Sequence, residues 1–239
     1  VAIDEEDHAH DAAEMARQAI VAQYGEAAYT RGLVVSTTID PRAQQAAYRA
    51  VRQGVLDYER RQFYRGPELF ITLPEDPQQR DAAIDDALAE RPDNGDLLSA
   101  VVLEVSPRRV VVVRQDGEPI EITGEGLKPV QSGLSDKAGP NIKIRPGAVV
   151  RIVKVDEKSW RITQLPEVEA AFVALDPRNG RIAALVGGFD FNKSKFNHVT
   201  QAWRQPGSSF KPFVYSAALE KGLTPMTVVN DAPLFYSAN

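Results

Sequence analysis

The sequence predicts an α+β protein in three stretches: a helical first third, a small all-β domain, and a hairpin that leads into a helix. Three observations carry this. Up to residue 96, apolar stripes of helical period follow acid- and proline-led helix starts. From Leu97 to Leu165, β-branched residues fill short runs between turn signals. After Val168, a turn ending in Asn-Gly joins two further apolar runs. Charge marks the first change: residues 1–96 hold 19 acids against 10 arginines and no lysine, whereas residues 97–239 hold 14 acids against 18 bases. The domains expected are therefore 1–96, 97–165 and 166–239.

Composition narrows the chemistry. The chain of 239 residues, 43% hydrophobic and net −5, has the composition of soluble globular material. No run approaches the ~18 apolar residues of a membrane span. With no cysteine, disulfide, thiolate and cysteine–zinc chemistry are excluded. His8 and His10 stand beside Asp4–Asp7, which favours solvated, protonated imidazoles in a frayed terminus over a metal site, so no metal ligand is assigned.

In chain order, Ala12 to Tyr24 reads as a helix closed by Gly25. Leu33–Ile39, rich in Val and Thr, reads as a strand. Asp40-Pro41 caps a helix that runs to about Arg61 with Ala47, Val51, Val55 and Tyr58 on one apolar stripe. Residues 62–75 read as irregular, Asp76-Pro77 starts a short acidic helix, and Pro92–Gly95 forms a turn. Strands are expected at Ser99–Val105, Arg109–Gln115, Pro119–Thr123, Val149–Val155 and Ser159–Gln164, with Gln131–Asn141 a mobile loop. Five short strands with no helix suggest a small barrel or sandwich. The hairpin expected next pairs Ala171–Leu175 with Arg181–Val186.

The stretch with chemical identity is Arg204-Gln205-Pro206-Gly207-Ser208-Ser209-Phe210-Lys211-Pro212-Phe213. A serine three residues before a lysine on a nascent helix puts both side chains on one face. That arrangement suits a nucleophile and its base, since a serine hydroxyl needs a neighbour to take its proton. A lysine serves where desolvation frees the neutral amine, and Phe210 and Phe213 are placed to supply apolar surroundings. Pro212 makes Ser208–Lys211 the first turn of a helix to about Lys221, which Gly222 ends as a left-handed cap. The same spacing also suits a capping serine and a solvated lysine, and Ser-x-x-Lys alone is a short, unspecific motif.

The surrounding residues are more specific. Glu169–Pro177, Gly180–Gly188, Asn197, Gln201–Ser208, Pro212–Tyr215 and Asn230–Pro233 closely resemble the start of the transpeptidase domain of class A (bifunctional) penicillin-binding proteins, especially the 1A type. Gly32–Pro41 resembles the linker after that family's glycosyltransferase domain. The resemblance implies a helical linker, a small OB-like β-barrel and the N-terminal part of a penicillin-binding transpeptidase (serine β-lactamase-like) domain. It implies Ser208 as acyl nucleophile and Lys211 as general base of a D-alanyl-D-alanine transpeptidase, without a cofactor. Peptidoglycan stem peptides and β-lactams are the ligands implied, on the periplasmic side of the bacterial inner membrane. Two further family motifs, Ser-x-Asn and Lys-Thr/Ser-Gly, are not where they belong: Ser237-Ala238-Asn239 begins only 29 residues after Ser208, and Lys137-Ala138-Gly139 lies upstream. The sequence thus reads as an inactive slice of a longer protein, lacking its N-terminal membrane anchor, glycosyltransferase domain and most of the transpeptidase domain. Two alternatives stand beside this reading. A non-catalytic periplasmic scaffold, whose β domain binds a partner protein or glycan, remains open. Nucleic-acid binding is set aside, because Leu97–Leu165 holds one aromatic, Trp160, and no basic cluster.

Overall fold

A computed structural model describes residues 8–115 and 117–233. The chain divides into two units, the first reaching Gln201 and the second beginning at Ala202. In the first, helix α1 (His10–Tyr24) ends where Gly25 turns to φ +58°. Helix α2 (Pro41–Glu59) starts as its sequence dictates: the Asp40 carboxylate accepts from the Ala43 N–H at 2.9 Å and Pro41 fills the first helical position. Its Ala47, Val51 and Val55 are buried against Ala184, Val186 and Phe189. Helix α3 (Pro77–Glu90) repeats the start with Asp76 and Gln79.

Six strands form one antiparallel sheet: β1 (Leu69–Phe70), β2 (Leu98–Ser106), β3 (Arg109–Val113), β4 (Pro119–Thr123), β5 (Ala148–Lys154) and β6 (Trp160–Thr163). The order is β1-β5-β2-β3-β4, with β6 also on β5. The sheet wraps a core of Ala100, Val102, Val110, Val112, Ile122, Val150, Ile152 and Ile162. The alternate residues Val101, Val113 and Val149 face Ile84, Ala87 and Leu88 of α3. Burial on both faces explains why these strands read as continuous valine runs rather than as alternation. Gly126, in a 3-10 turn (Gly124–Val130), is required by close approach: a Cβ there would lie 2.1 Å from the Trp160 carbonyl oxygen.

A two-stranded sheet, β7 (Phe172–Leu175) with β8 (Ile182–Val186), packs on α2. Asp176 shapes the turn, its carboxylate accepting from the Arg178 N–H at 2.9 Å and its carbonyl from the Gly180 N–H at 2.8 Å. The contact with Arg178 holds the Asp176 carboxyl below its ordinary range.

Three sequence expectations need correction. Leu33–Ile39 forms no ladder among the described residues; the Thr38 hydroxyl and the Asp40 N–H engage β8, donating to the Ile182 and Ala183 carbonyls at 2.8 and 2.9 Å. Strand-like composition makes a strand only where a partner edge is present. Gln131–Asn141 is not wholly a loop, because a short helix α4 (Gln131–Leu134) carries buried Leu134 into the barrel core. The histidines are not free in solvent: the His8 ring stacks 3.7 Å from that of Tyr48, and His10 opens α1 with its ring 5.5 Å from Phe191.

Candidate active site

In the second unit, Gly207 has φ +52°, and a Cβ there would meet nothing within 4 Å. Glycine is therefore demanded by backbone conformation rather than by crowding. The chain then forms a 3-10 turn (Gly207–Phe210) and passes directly into helix α5 (Lys211–Glu220). The Lys211 N–H donates to the Ser208 carbonyl, closing the tight turn. In this geometry residues i and i+3 eclipse, so the backbone sets Ser208 and Lys211 on one face. Ser209 projects about 120° away, at three residues per turn. Pro212 occupies the first turn of α5, where its missing N–H costs nothing. At the other end Gly222 takes φ +86°, and the Leu223 N–H donates to Ala218 O at 3.1 Å, the left-handed stop the sequence predicts.

The surroundings differ from this local order. Ser208 and Lys211 are exposed, and neither side chain has a hydrogen bond or ion pair among the described residues. Phe210 and Phe213 pair with ring centroids 5.6 Å apart, but they are 55% and 68% exposed. The Ser208 N–H, at the start of the turn, is one of the donors a helix leaves without an internal partner. Of the two motif look-alikes, Lys137-Ala138-Gly139 sits in a turn of the β domain, where the Ala138 N–H donates to Ser135 O at 3.0 Å. Ser237-Ala238-Asn239 lies outside the described residues.

Sequence reasoning did not single out the polar residues that brace β8 within the first unit. Gln44 is fully buried: its Nε2 donates to the Leu185 carbonyl at 2.8 Å, and its Oε1 accepts from the Leu185 N–H at 2.8 Å. Asp11 accepts from the Gly187 N–H at 2.8 Å, and burial pushes its carboxyl up against the opposing effects of that bond and of His10 and His198. His198 Nδ1 lies 2.8 Å from the Gly187 carbonyl. The one sequence signal was a glutamine three residues before Ala47, on the apolar stripe of α2.

Comparison with known proteins agrees with this layout. Residues 64–168 match the penicillin-binding protein OB-like domain, and residues 170–238 match the penicillin binding protein transpeptidase domain. Penicillin-binding protein 1A of Escherichia coli (strain K12) is 40% identical over 227 residues, which are 92% of this chain and 27% of that protein. The chain belongs to the class A penicillin-binding proteins. The corresponding protein of Pseudomonas aeruginosa is likewise 40% identical, over 94% of this chain. A crystal structure of penicillin-binding protein 1A from Haemophilus influenzae superposes with a TM-score of 0.78 at 33% identity, covering 96% of this chain and 33% of that one. This penicillin-binding protein chain thus spans about 27% of the length of the first curated relatives it matches. Both Ser208 and Lys211 fall inside the transpeptidase match.

Proposed function

We propose that the chain carries the acylating serine of a D-alanyl-D-alanine transpeptidase that cross-links peptidoglycan stem peptides and is a target of β-lactams. One observation carries the reading: the Ser208–Lys211 pair shares a face of the turn that opens α5, inside the residues matched to the transpeptidase domain. Ser208 Oγ attacks the carbonyl carbon of the penultimate D-alanine while its proton passes to Lys211 Nζ. The C–N bond to the terminal D-alanine breaks, and that residue leaves with a proton on its amine. The amine of a neighbouring stem peptide then attacks the acyl-serine, forming the cross-link and returning the proton to Ser208. A β-lactam opens on the same oxygen and stays there. The parent polypeptide contributes a glycosyltransferase domain and a membrane anchor, and works on the periplasmic side of the inner membrane. The division proposed for the chain is a helical linker region (1–96), the OB-like domain (97–165) and the start of the transpeptidase domain (166–239).

A second reading applies to this chain by itself: a periplasmic scaffold module whose β domain meets a partner protein or glycan. The exposure of Ser208, Lys211 and both phenylalanines favours it, since acylation needs a closed, oxyanion-binding pocket. Loss of one oxyanion donor costs about 100- to 1000-fold in rate, and the strand bearing Lys-Thr/Ser-Gly supplies one. A fluorescent β-lactam, followed by intact-mass spectrometry, tests both readings. The isolated chain is expected to stay unlabelled, and a longer polypeptide containing the two later motifs to gain one adduct. In the longer polypeptide Ser208→Ala abolishes labelling, Lys211→Ala nearly does, and Ser209→Ala leaves most of it. Labelling that survives Ser208→Ala but vanishes with Ser209→Ala assigns the wrong serine.

A further inference from the structure

Arg52 of α2 is 8% exposed, and its guanidinium is held on several sides. Nε donates to Asp96 Oδ1 at 2.8 Å, and Nη2 donates to the Asn94 carbonyl at 2.5 Å. Both terminal nitrogens also lie 3.2 Å from Asn94 Oδ1. One face of the guanidinium covers the Phe189 ring, with its carbon 4.4 Å from the centroid; Phe189 is fully buried. Asn94 extends the contact, its Nδ2 donating to Asp190 Oδ2 at 2.5 Å. The loop is shaped to admit the arginine: Gly95 has φ +59°, and a Cβ there would stand 2.9 Å from Arg52 Nη2.

These residues come from three separate segments. Arg52 precedes the OB-like match, Asn94 and Asp96 lie inside it just before β2, and Phe189 and Asp190 lie in the transpeptidase match just after β8. All of them belong to the unit that ends at Gln201. Apolar packing crosses the same seam, where Leu97 and Val153 meet Ala184 and Val186. Apolar contact is non-directional and leaves the two sheets free to slide. A planar fork with fixed donor directions does not, and leaving the buried Asn94 acceptors unpaired is costly.

We propose that Arg52 is a coupling joint that locks the OB-like barrel to the β7–β8 sheet, so that the two open as one cooperative unit. The joint depends on the shape of the fork as well as on its charge. It does not rest on the transpeptidase reading, because every residue in it lies outside the Ser208 turn.

Hydrogen exchange on the full 239-residue chain, followed across low urea concentrations, tests this. In the unaltered chain the slowest amides of β2 and β5 and those of β8 exchange through one opening with the same urea dependence. In Arg52→Met, which keeps the apolar seam, β8 amides exchange about 10- to 100-fold faster, while those of β2 and β5 hold their rates. Arg52→Lys behaves like Arg52→Met, because the charge remains and the fork is gone. Asn94→Ala leaves α2 intact and gives the same separation, so it decides the matter if the Arg52 variants do not fold. Equal acceleration of both sets in these variants means Arg52 only adds global stability and overturns the proposal. Separate openings already present in the unaltered chain overturn it as well.

Discussion

Replacing Gln44 by leucine tests whether side chains substitute for a missing strand at the edge of β8. The volume is nearly kept, so packing against Ala47 and its neighbours changes little. What is lost is the pair of bonds to Leu185, at 2.8 Å each, from a glutamine that is fully buried to a residue that is 1% exposed, together with the bond that Nε2 donates to the His8 carbonyl at 3.0 Å. The Leu185 N–H and C=O then have no partner and no route to water. A buried polar group left unpaired costs about 1–3 kcal/mol, so the two together cost about 2–6 kcal/mol. With a urea m-value of ~2 kcal/mol per molar, the denaturation midpoint falls by about 1–3 M. Gln44→Glu sharpens the test, since its carboxylate still accepts from the Leu185 N–H but faces the Leu185 carbonyl with a second acceptor. It should be at least as destabilised at neutral pH and recover partly in acid, where the protonated carboxyl donates. A Gln44→Leu midpoint within 0.3 M of the unaltered chain refutes the reasoning, showing that the edge is satisfied some other way.

Asp11 carries a pH dependence of definite sign. Its folded pKa is raised, chiefly by burial, so the folded state holds its proton more tightly than the unfolded chain does. Its contribution is therefore full below the unfolded value and is lost as pH rises through the raised folded value. Asp11→Asn keeps an acceptor for the Gly187 N–H, so urea midpoints measured from pH 3 upward should lose that decline, whereas Asp11→Ala should cost about 1–3 kcal/mol at low pH and less as the pH rises. Gly207→Ala puts a Cβ on a residue at φ +52° with open space around it, and should cost about 1–2 kcal/mol of the turn that opens α5. Gly207→Asn should cost less, and the acylation rates of the longer polypeptide rank the three. The OB-like domain should show no mobility shift with single-stranded DNA or RNA at physiological salt. Arg109 is paired with Glu104 and Glu121 and Arg151 with Glu68, and Trp160 is partly buried against the barrel core.

What was legible in the sequence was what is decided within a turn or a strand. Pro119–Thr123 is the strand expected, residue for residue, and β2 and β5 differ from expectation by one residue at each end, because β-branched runs between turn signals fix their own conformation. The Asp-Pro starts of α2 and α3 were equally local. Strand β1 was not legible: Leu69–Phe70 is short and flanked by prolines, and it is a strand only because Val149 and Ala148 offer an edge. Leu33–Ile39 failed in the opposite sense, with a strand's composition and no edge to join. Arg52 and Gln44 read as ordinary helix residues, and Asp11 drew no notice, because their hydrogen-bond partners lie 36 to 176 positions away.

The candidate site divides along the same line. The spacing of Ser208 and Lys211 is a property of six residues, set by a left-handed glycine, a 3-10 turn and a proline in the first turn of α5. Nothing distant is needed to bring the two side chains to one face. Reactivity is different in kind. A lysine accepts a proton only where desolvation leaves its amine neutral. A tetrahedral oxyanion forms at a useful rate only where preorganised donors await it. Neither condition is local, and the exposed Phe210 and Phe213 do not supply the first. The difference expected between this chain and a longer polypeptide is therefore one of environment, with the turn unchanged. An isolated chain that took up β-lactam on Ser208 as fast as the longer one would show that the turn alone suffices, and would move the origin of catalysis into residues 207–212.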